Sequence, residues 1–480
     1  HVPNDVARLE TKFKNGVIYY NQKIIEEKVK ESPDREIITQ YRENVFKFMK
    51  GRDSLISILE KEYPEYYSFK YNTKTVSVSE IVNVIGRNSN YINYVIGDTV
   101  IYIFVANKKF SELITTKIDS SFFREADDFR KLIIAPSTGV ITSNDLNKYL
   151  MAGTHLYSII FEPIRKYLIS DRLVVSPDNI LSYLPFDAIP SEIDPTNDVF
   201  FKKIHYLMID YKISYIYSAT FLAESMEKNR SFSNKLLAFS PSYADSVYIN
   251  SKLKSMRYLY SDLKDIPFAR VEAKFAVDLI GGRLFANDKA LESVFKNEVG
   301  KYDIIHLAMH SIINEENPMQ SKMIFYTKND SIDDGALNTY EICTLPLKAK
   351  MIVLSSCNTG VGLHQSGEGI LNLARGFMYS GSQSIVMSLW DIEDRSGSDV
   401  IKRFYNNLKR GDSKSDALRN ARLTYLKNAD MLRSHPYFWS TMVVYGNDTP
   451  LYYSTYIFLI VEIIVCFAII SLLWHFYWSR

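Results

Sequence analysis

A histidine and a cysteine, each closing an apolar run, are the residues of this chain whose types and spacing fit one chemistry. The runs are Tyr302-Asp-Ile-Ile-His-Leu-Ala-Met-His310 and Met351-Ile-Val-Leu-Ser-Ser-Cys-Asn358. Buried parallel strands read as near-continuous apolar runs, and open α/β sheets carry their chemistry just beyond the strand carboxyl ends. His310 and Cys357 stand at such ends. Only a thiolate attacks a carbonyl effectively, and an imidazole beside it takes the thiol proton or stabilises the anion. Two blander readings compete: a cysteine after a strand as a small buried hydrophobe, and a histidine as a satisfied core residue. Zinc binding through His306 and His310 lacks the Glu and the helix of the usual motif, so His306 is read as structural and no metal or other cofactor is expected.

The order and spacing carry a second signal. Caspase-type cysteine peptidases place the histidine about 50 residues before the cysteine; here the separation is 357 − 310 = 47. Further along, Leu354-Ser-Ser-Cys-Asn-Thr-Gly360 is followed by Gly367-Glu-Gly369, Leu373-Ala-Arg-Gly-Phe-Met-Tyr-Ser-Gly381 and Ser388-Leu-Trp-Asp391. Ser176-Pro-Asp-Asn-Ile-Leu-Ser-Tyr-Leu-Pro-Phe-Asp-Ala188, Ile213-Ser-Tyr-Ile-Tyr-Ser218, Phe404-Tyr-Asn-Asn-Leu408 and His435-Pro-Tyr-Phe-Trp439 add to the set. Over residues 145–448 the chain resembles the CHAT domain, a caspase- and separase-like group of cysteine peptidases often preceded by tetratricopeptide repeats.

The resemblance implies that His310 is the general base and Cys357 the nucleophile. It further implies that the amides of Cys357 and of the residue after the histidine hold the oxyanion. That residue is Ser311, where relatives carry glycine. Glu368, Asp391 and Asp394 fall in segments that the family places around the substrate cleft, where a carboxylate favours Lys or Arg before the cut. Asp394 is the preferred contact, and turn or cap residues are the competing reading for all three. Trp390 is read as wall packing.

Hydrophobic content of 46% and charged content of 23% are those of a globular protein, and a net charge of +2 does not point to direct nucleic-acid binding. The cysteines, Cys343, Cys357 and Cys466, offer no disulfide framework and no Cys-x-x-Cys pair, which suits a reducing compartment.

Apolar positions at three- and four-residue steps over residues 1–75 predict amphipathic helices, and the resemblance makes them the end of a tetratricopeptide-like repeat array that receives a regulatory protein partner. Residues 76–144 read as a short helix, a hairpin near Gly97-Asp98 and a further helix. Residues 145–448 alternate strands (236–240, 304–308, 351–354, 384–389) with helices (147–168, 269–280, 370–380), which predicts an α/β fold: a mostly parallel sheet with helices on both faces. Gly367-Glu-Gly369 is expected to open the helix after the catalytic loop, and it lacks the third glycine of a nucleotide site. Residues 455–477 contain an apolar stretch long enough for one transmembrane helix, although Glu462 lies within it, and a buried core helix is the alternative. The expected protein is a membrane-anchored, caspase-like cysteine endopeptidase cutting a protein substrate, with its peptidase domain cytoplasmic. The rival expectation is a catalytically silent CHAT scaffold holding protein partners at the membrane.

Overall fold

In a computed structural model, residues 4–28, 30, 33–62, 75–134, 143–192, 200–227, 235–243, 263–314, 317–327, 330, 332–356, 363–365, 369–391 and 393–452 are described. The chain divides into two units, His1–Thr75 and Val76–Arg480.

The first unit holds helices α1 (Asn4–Lys28) and α2 (Arg35–Glu62). Their aromatic contacts run in opposite chain directions, Phe13 on Phe48 at 6.4 Å and Tyr20 on Tyr41 at 5.9 Å, so the pair is antiparallel.

The second unit opens with α3 (Val78–Ile85) and the antiparallel strands β1 (Asn90–Ile96), β2 (Val100–Ala106) and β3 (Ser111–Lys117). Then come α4 (Ser120–Ile134), α5 (Ser143–Ile160), β4 (Arg172–Ser176), β5 (Lys212–Tyr215), α6 (Ala219–Glu227), β6 (Leu236–Ser240) and α7 (Pro267–Ile280). After β7 (Gly282–Ala286), α8 (Glu292–Glu298) and β8 (Ile304–Ala308), a small sheet is formed by β9 (Ser311–Ile312), β10 (Lys322–Ile324) and β11 (Ala336–Asn338). The chain continues through β12 (Met351–Ser355), β13 (Leu363–Gln365), β14 (Gly369–Leu371), α9 (Leu373–Tyr379) and β15 (Ser384–Ser388). It ends, among the described residues, with α10 (Asp394–Lys409), α11 (Lys414–Asn428) and β16 (Met442–Gly446).

Eleven strands form the main sheet in the order β3-β2-β1-β4-β5-β16-β15-β12-β8-β6-β7. It is mostly parallel; the β1–β3 meander and the β15–β16 pair run antiparallel. The expected α/β architecture with a large parallel sheet is therefore present. Every residue of β6, β8, β12 and β15 is buried, which is why these strands read as unbroken apolar runs. At the β7 edge, Gly282 (φ 149°) lets the strand close on β6, since a Cβ there would stand 1.9 Å from the Leu236 carbonyl oxygen.

Local departures from expectation have local causes. The expected helix 147–168 ends at Ile160, and a separate 3-10 turn, Glu162–Tyr167, follows with Pro163 as its second residue, because proline cannot donate to the preceding helical carbonyl. The helix expected from 370 begins at Leu373, where the Asn372 side chain accepts the Arg375 N–H at 2.8 Å, and Gly369–Leu371 is strand β14 instead. β3 was not expected, because its pattern is largely exposed and carries little period-two signal.

The membrane assignment needs correction. Among the described residues no helix is long and apolar enough to cross a membrane. The two longest described helices, α1 and α2 with 25 and 28 residues, carry charged side chains on every turn or two. Single-pass localisation is withdrawn; segment 456–477, on which it rested, lies outside the described residues.

Candidate active site

The site is built at the carboxyl ends of three neighbouring strands. β8 pairs with β12 so that Ala308 faces Ser355, and β6 lies on the other side of β8. Two residues beyond Ala308 the chain reaches His310, which is half-buried.

His310 is held from several directions. Its backbone N–H donates to Tyr243 Oη at 3.0 Å, its carbonyl accepts from the Ile324 N–H at 3.0 Å, and Tyr243 Oη donates to the Ile324 carbonyl at 2.7 Å. The Tyr243 ring lies against the imidazole, with centroids 4.7 Å apart. His310 Nε2 is 2.7 Å from the Lys264 carbonyl oxygen. A carbonyl only accepts, so Nε2 carries the proton and Nδ1 is the lone-pair nitrogen of the neutral ring. The neighbouring Asp265 carboxylate accepts from the Tyr243 N–H at 3.3 Å and from Arg270 at 3.4 Å, which fixes the strand of chain presenting that carbonyl.

A small cleft of about 40 Å³ opens beside the ring, lined by Ile266, Ala269, Glu272, Met309, His310, Ser355, Ser356 and Asp394. Asp394, the first residue of α10, accepts the Phe268 and Ala269 N–H groups at 3.1 Å each, so it caps the first turn of α7. Burial lifts its pKa above the ordinary carboxylate value, the two amides oppose that rise, and the neighbouring Glu272 adds to it. Glu272 is buried, with Oε1 3.3 Å from His306 Nε2 but without hydrogen-bond geometry. His306 is fully buried, and its Nδ1 meets Tyr405 Oη at 3.0 Å.

Of the residues singled out from the sequence, His310 and Asp394 share this cleft. Ser311 begins β9 and pairs with Met323. Asp391 is exposed, in the short connection between β15 and α10. Trp390 is buried and donates through Nε1 to the Tyr437 carbonyl at 3.1 Å. Cys357 and Glu368 lie outside the described residues, as does Cys466.

Sequence reasoning missed Tyr243, Lys264 and Glu272. Tyr243 follows β6 by three residues, so the rule of strand carboxyl ends pointed to it. Glu272 stands among Ala269, Ala273 and Ala276 on the buried stripe of α7, where a charge at helical spacing on an apolar face is the signal. Lys264 acts through its carbonyl, which no side chain announces.

The CHAT domain family matches residues 151–447, well over half of the chain. The chain belongs to the CHAT-domain family. Curated relatives of this CHAT protein include tetratricopeptide repeat protein 28 of Mus musculus and of Homo sapiens, each 24% identical over 250 residues. Those alignments take in 44% of this chain and 10% of the relative, so the chain spans about a tenth of the length of the curated relatives it matches. Among solved structures, the Saccharomyces cerevisiae separase–securin complex aligns over 91% of this chain and 27% of that one, with 13% identity and a TM-score of 0.35. The Arg specific cysteine proteinase gingipain R aligns over 69% of this chain and 76% of that one, with 9% identity and a TM-score of 0.38.

Proposed function

We propose that this CHAT protein is a cysteine endopeptidase acting on a protein substrate, with Cys357 as nucleophile and His310 as general base. The observation that carries the reading is the Nε2–H bond from His310 to the Lys264 carbonyl, which commits Nδ1 to accepting a proton. The chain path supports it: Ala308 and Ser355 are register partners, and His310 and Cys357 each follow their partner by two residues in sequence.

In this mechanism Nδ1 takes the thiol proton and sulfur attacks the scissile carbonyl. The amides of Ser311 and Cys357 then hold the oxyanion. Collapse breaks the C–N bond, and the imidazolium protonates the departing amine. Water, deprotonated by the same ring, cleaves the resulting thioester and frees the thiol. Glu368, Asp391 and Asp394 are assigned to the substrate side of the cleft, and the N-terminal helices to a regulatory protein partner.

Labelling with a peptide acyloxymethyl-ketone probe, read by peptide mass spectrometry, tests this. Expected is a single adduct on Cys357, absent in Cys357→Ala and slowed by about two orders of magnitude or more in His310→Ala. A folded chain that forms no adduct, or forms it on another residue, transfers the reading to a non-catalytic CHAT scaffold.

A further inference from the structure

Two buried polar side chains on the wall of the His310 cleft carry atoms without a partner. Glu272, on the buried stripe of α7, is 2% exposed, and Ser356, the residue after β12, is 3% exposed. Glu272 Oε1 and Ser356 Oγ have no hydrogen-bond partner among the described residues. His306 Nε2 stands 3.3 Å from Glu272 Oε1 but off hydrogen-bond geometry, and His306 is engaged by Tyr405 through Nδ1. Asp394, the other carboxylate of the cleft, has both oxygens taken by the Phe268 and Ala269 amides. Buried polar atoms rarely go unpaired, so two of them on one cleft wall point to a guest that pairs with both. Donor count and size identify that guest. His310 Nδ1 and Glu272 Oε1 both accept, so whatever joins them donates twice, and the Ser356 hydroxyl has a proton to give. About 10 to 15 Å³ holds one water, and the cleft of about 40 Å³ has room for roughly one to three. A substrate lysine brings a long carbon stem and an arginine a planar fork, and both exceed that space.

We propose that Glu272 and Ser356 hold the hydrolytic water that cleaves the acyl-enzyme, an assignment that rests on the peptidase reading above. The water donates one O–H to Glu272 Oε1 and the other to His310 Nδ1, and it accepts from Ser356 Oγ. One lone pair is left for the acyl carbon. The water oxygen bonds to the thioester carbon while its proton passes to Nδ1; collapse then breaks the C–S bond, and the imidazolium returns the proton to the sulfur of Cys357. Ser356 immediately precedes Cys357, so this water is held one residue along the chain from the acyl group. Glu272 acts only after the amine has left, and its effect therefore falls on deacylation.

The test acylates the full chain with peptide p-nitrophenyl esters ending in Lys or in Leu, traps it in acid, desalts it and returns it to neutral pH. Intact mass spectrometry times the loss of the acyl group. Expected in Glu272→Ala is deacylation slowed about tenfold or more for both esters, while nitrophenol release during acylation changes less than about twofold. Ser356→Ala slows deacylation about threefold or more, and Glu272→Gln, which keeps an acceptor oxygen, slows it less than Glu272→Ala. Hydroxylamine, a stronger nucleophile than water, restores acyl release in all of them. A crystal structure of the Cys357→Ala chain is expected to show an ordered water within hydrogen-bond distance of Glu272 Oε1 and Ser356 Oγ, and it decides the matter where a Glu272 variant fails to fold. Deacylation of Glu272→Ala at the parent rate, no rescue by hydroxylamine, or no such water overturns the proposal. Loss of a Lys-over-Leu preference in acylation with deacylation unchanged also overturns it, and makes Glu272 a contact for a substrate cation. A parent chain that forms no acyl-enzyme while its cleft holds the water is a distinct result, which sinks the peptidase reading and the catalytic use of the water with it.

Discussion

The imidazole of His310 donates through Nε2 to the Lys264 carbonyl, 2.7 Å away and 46 residues earlier in the chain. A backbone acceptor does not titrate, so the ring keeps one tautomer across the whole pH range in which it is neutral. The orientation of this imidazole is thereby built into the chain path rather than into a neighbouring acid.

A glutamine in place of His310 retains a donor for Lys264 and loses the basic nitrogen. His310→Gln is expected to keep its unfolding free energy within about 1 kcal/mol of the parent's while probe labelling falls by about 10²-fold or more. Labelling at the parent rate in this variant removes His310 from the mechanism.

Tyr243 supplies one hydroxyl to two partners, accepting from the His310 N–H and donating to the Ile324 carbonyl. Tyr243→Phe leaves both without that partner and is expected to cost about 1 to 3 kcal/mol in chemical denaturation. Because the ring packed against the imidazole stays, labelling should slow by less than in the His310 variants.

Asp394 offers a way to separate capping from charge. Asp394→Ser keeps an oxygen for the α7 amides and should unfold within about 0.5 kcal/mol of the parent, whereas Asp394→Ala should lose about 1 kcal/mol. If Asp394 also contacts a cationic substrate side chain, both variants lose the preference for Lys or Arg in a substrate-profiling screen; a preserved preference in Asp394→Ser leaves the residue as a cap.

The buried pair Asp187 and Arg422, 2.6 Å apart, ties the segment after β4 to α11, and the same guanidinium donates to the Met442 carbonyl on β16. Removing one partner strands the other charge in the core. Asp187→Ala is expected to destabilise the chain by about 3 to 5 kcal/mol.

His435 is buried against Phe201, with ring centroids 4.5 Å apart, and accepts the Tyr437 N–H through Nδ1. Burial pushes its pKa down from 6.5 to about 4. The unfolded chain therefore binds a proton that the folded chain refuses between these values, so this stability is present above pH 6.5 and lost as pH falls through 4. Between pH 7 and 5 the contribution is on the order of 2 kcal/mol. Denaturation of His435→Gln compared with the parent at both pH values should show a shallower loss in the variant; equal slopes would contradict the assignment.

The central strands were legible because burial on both faces demands unbroken apolar runs: residues 236–240 and 304–308 were read with their observed bounds, and 351–354 one residue short. The α/β alternation and the place of His310 just beyond a buried strand followed from the same pattern, whereas Asp394 was singled out through the family resemblance alone. β3 was not legible, since an exposed edge strand puts few constraints on its side chains. The residues that hold the candidate base escaped for a different reason. A carbonyl at Lys264 carries no mark in a one-letter sequence, and Tyr243 gains its role only when β6 is brought next to β8. Residue type and local period thus determined which side chains can do chemistry and which segments must be buried. Which backbone oxygen meets His310 was decided only by folding, because that partnership joins positions that the sequence leaves far apart.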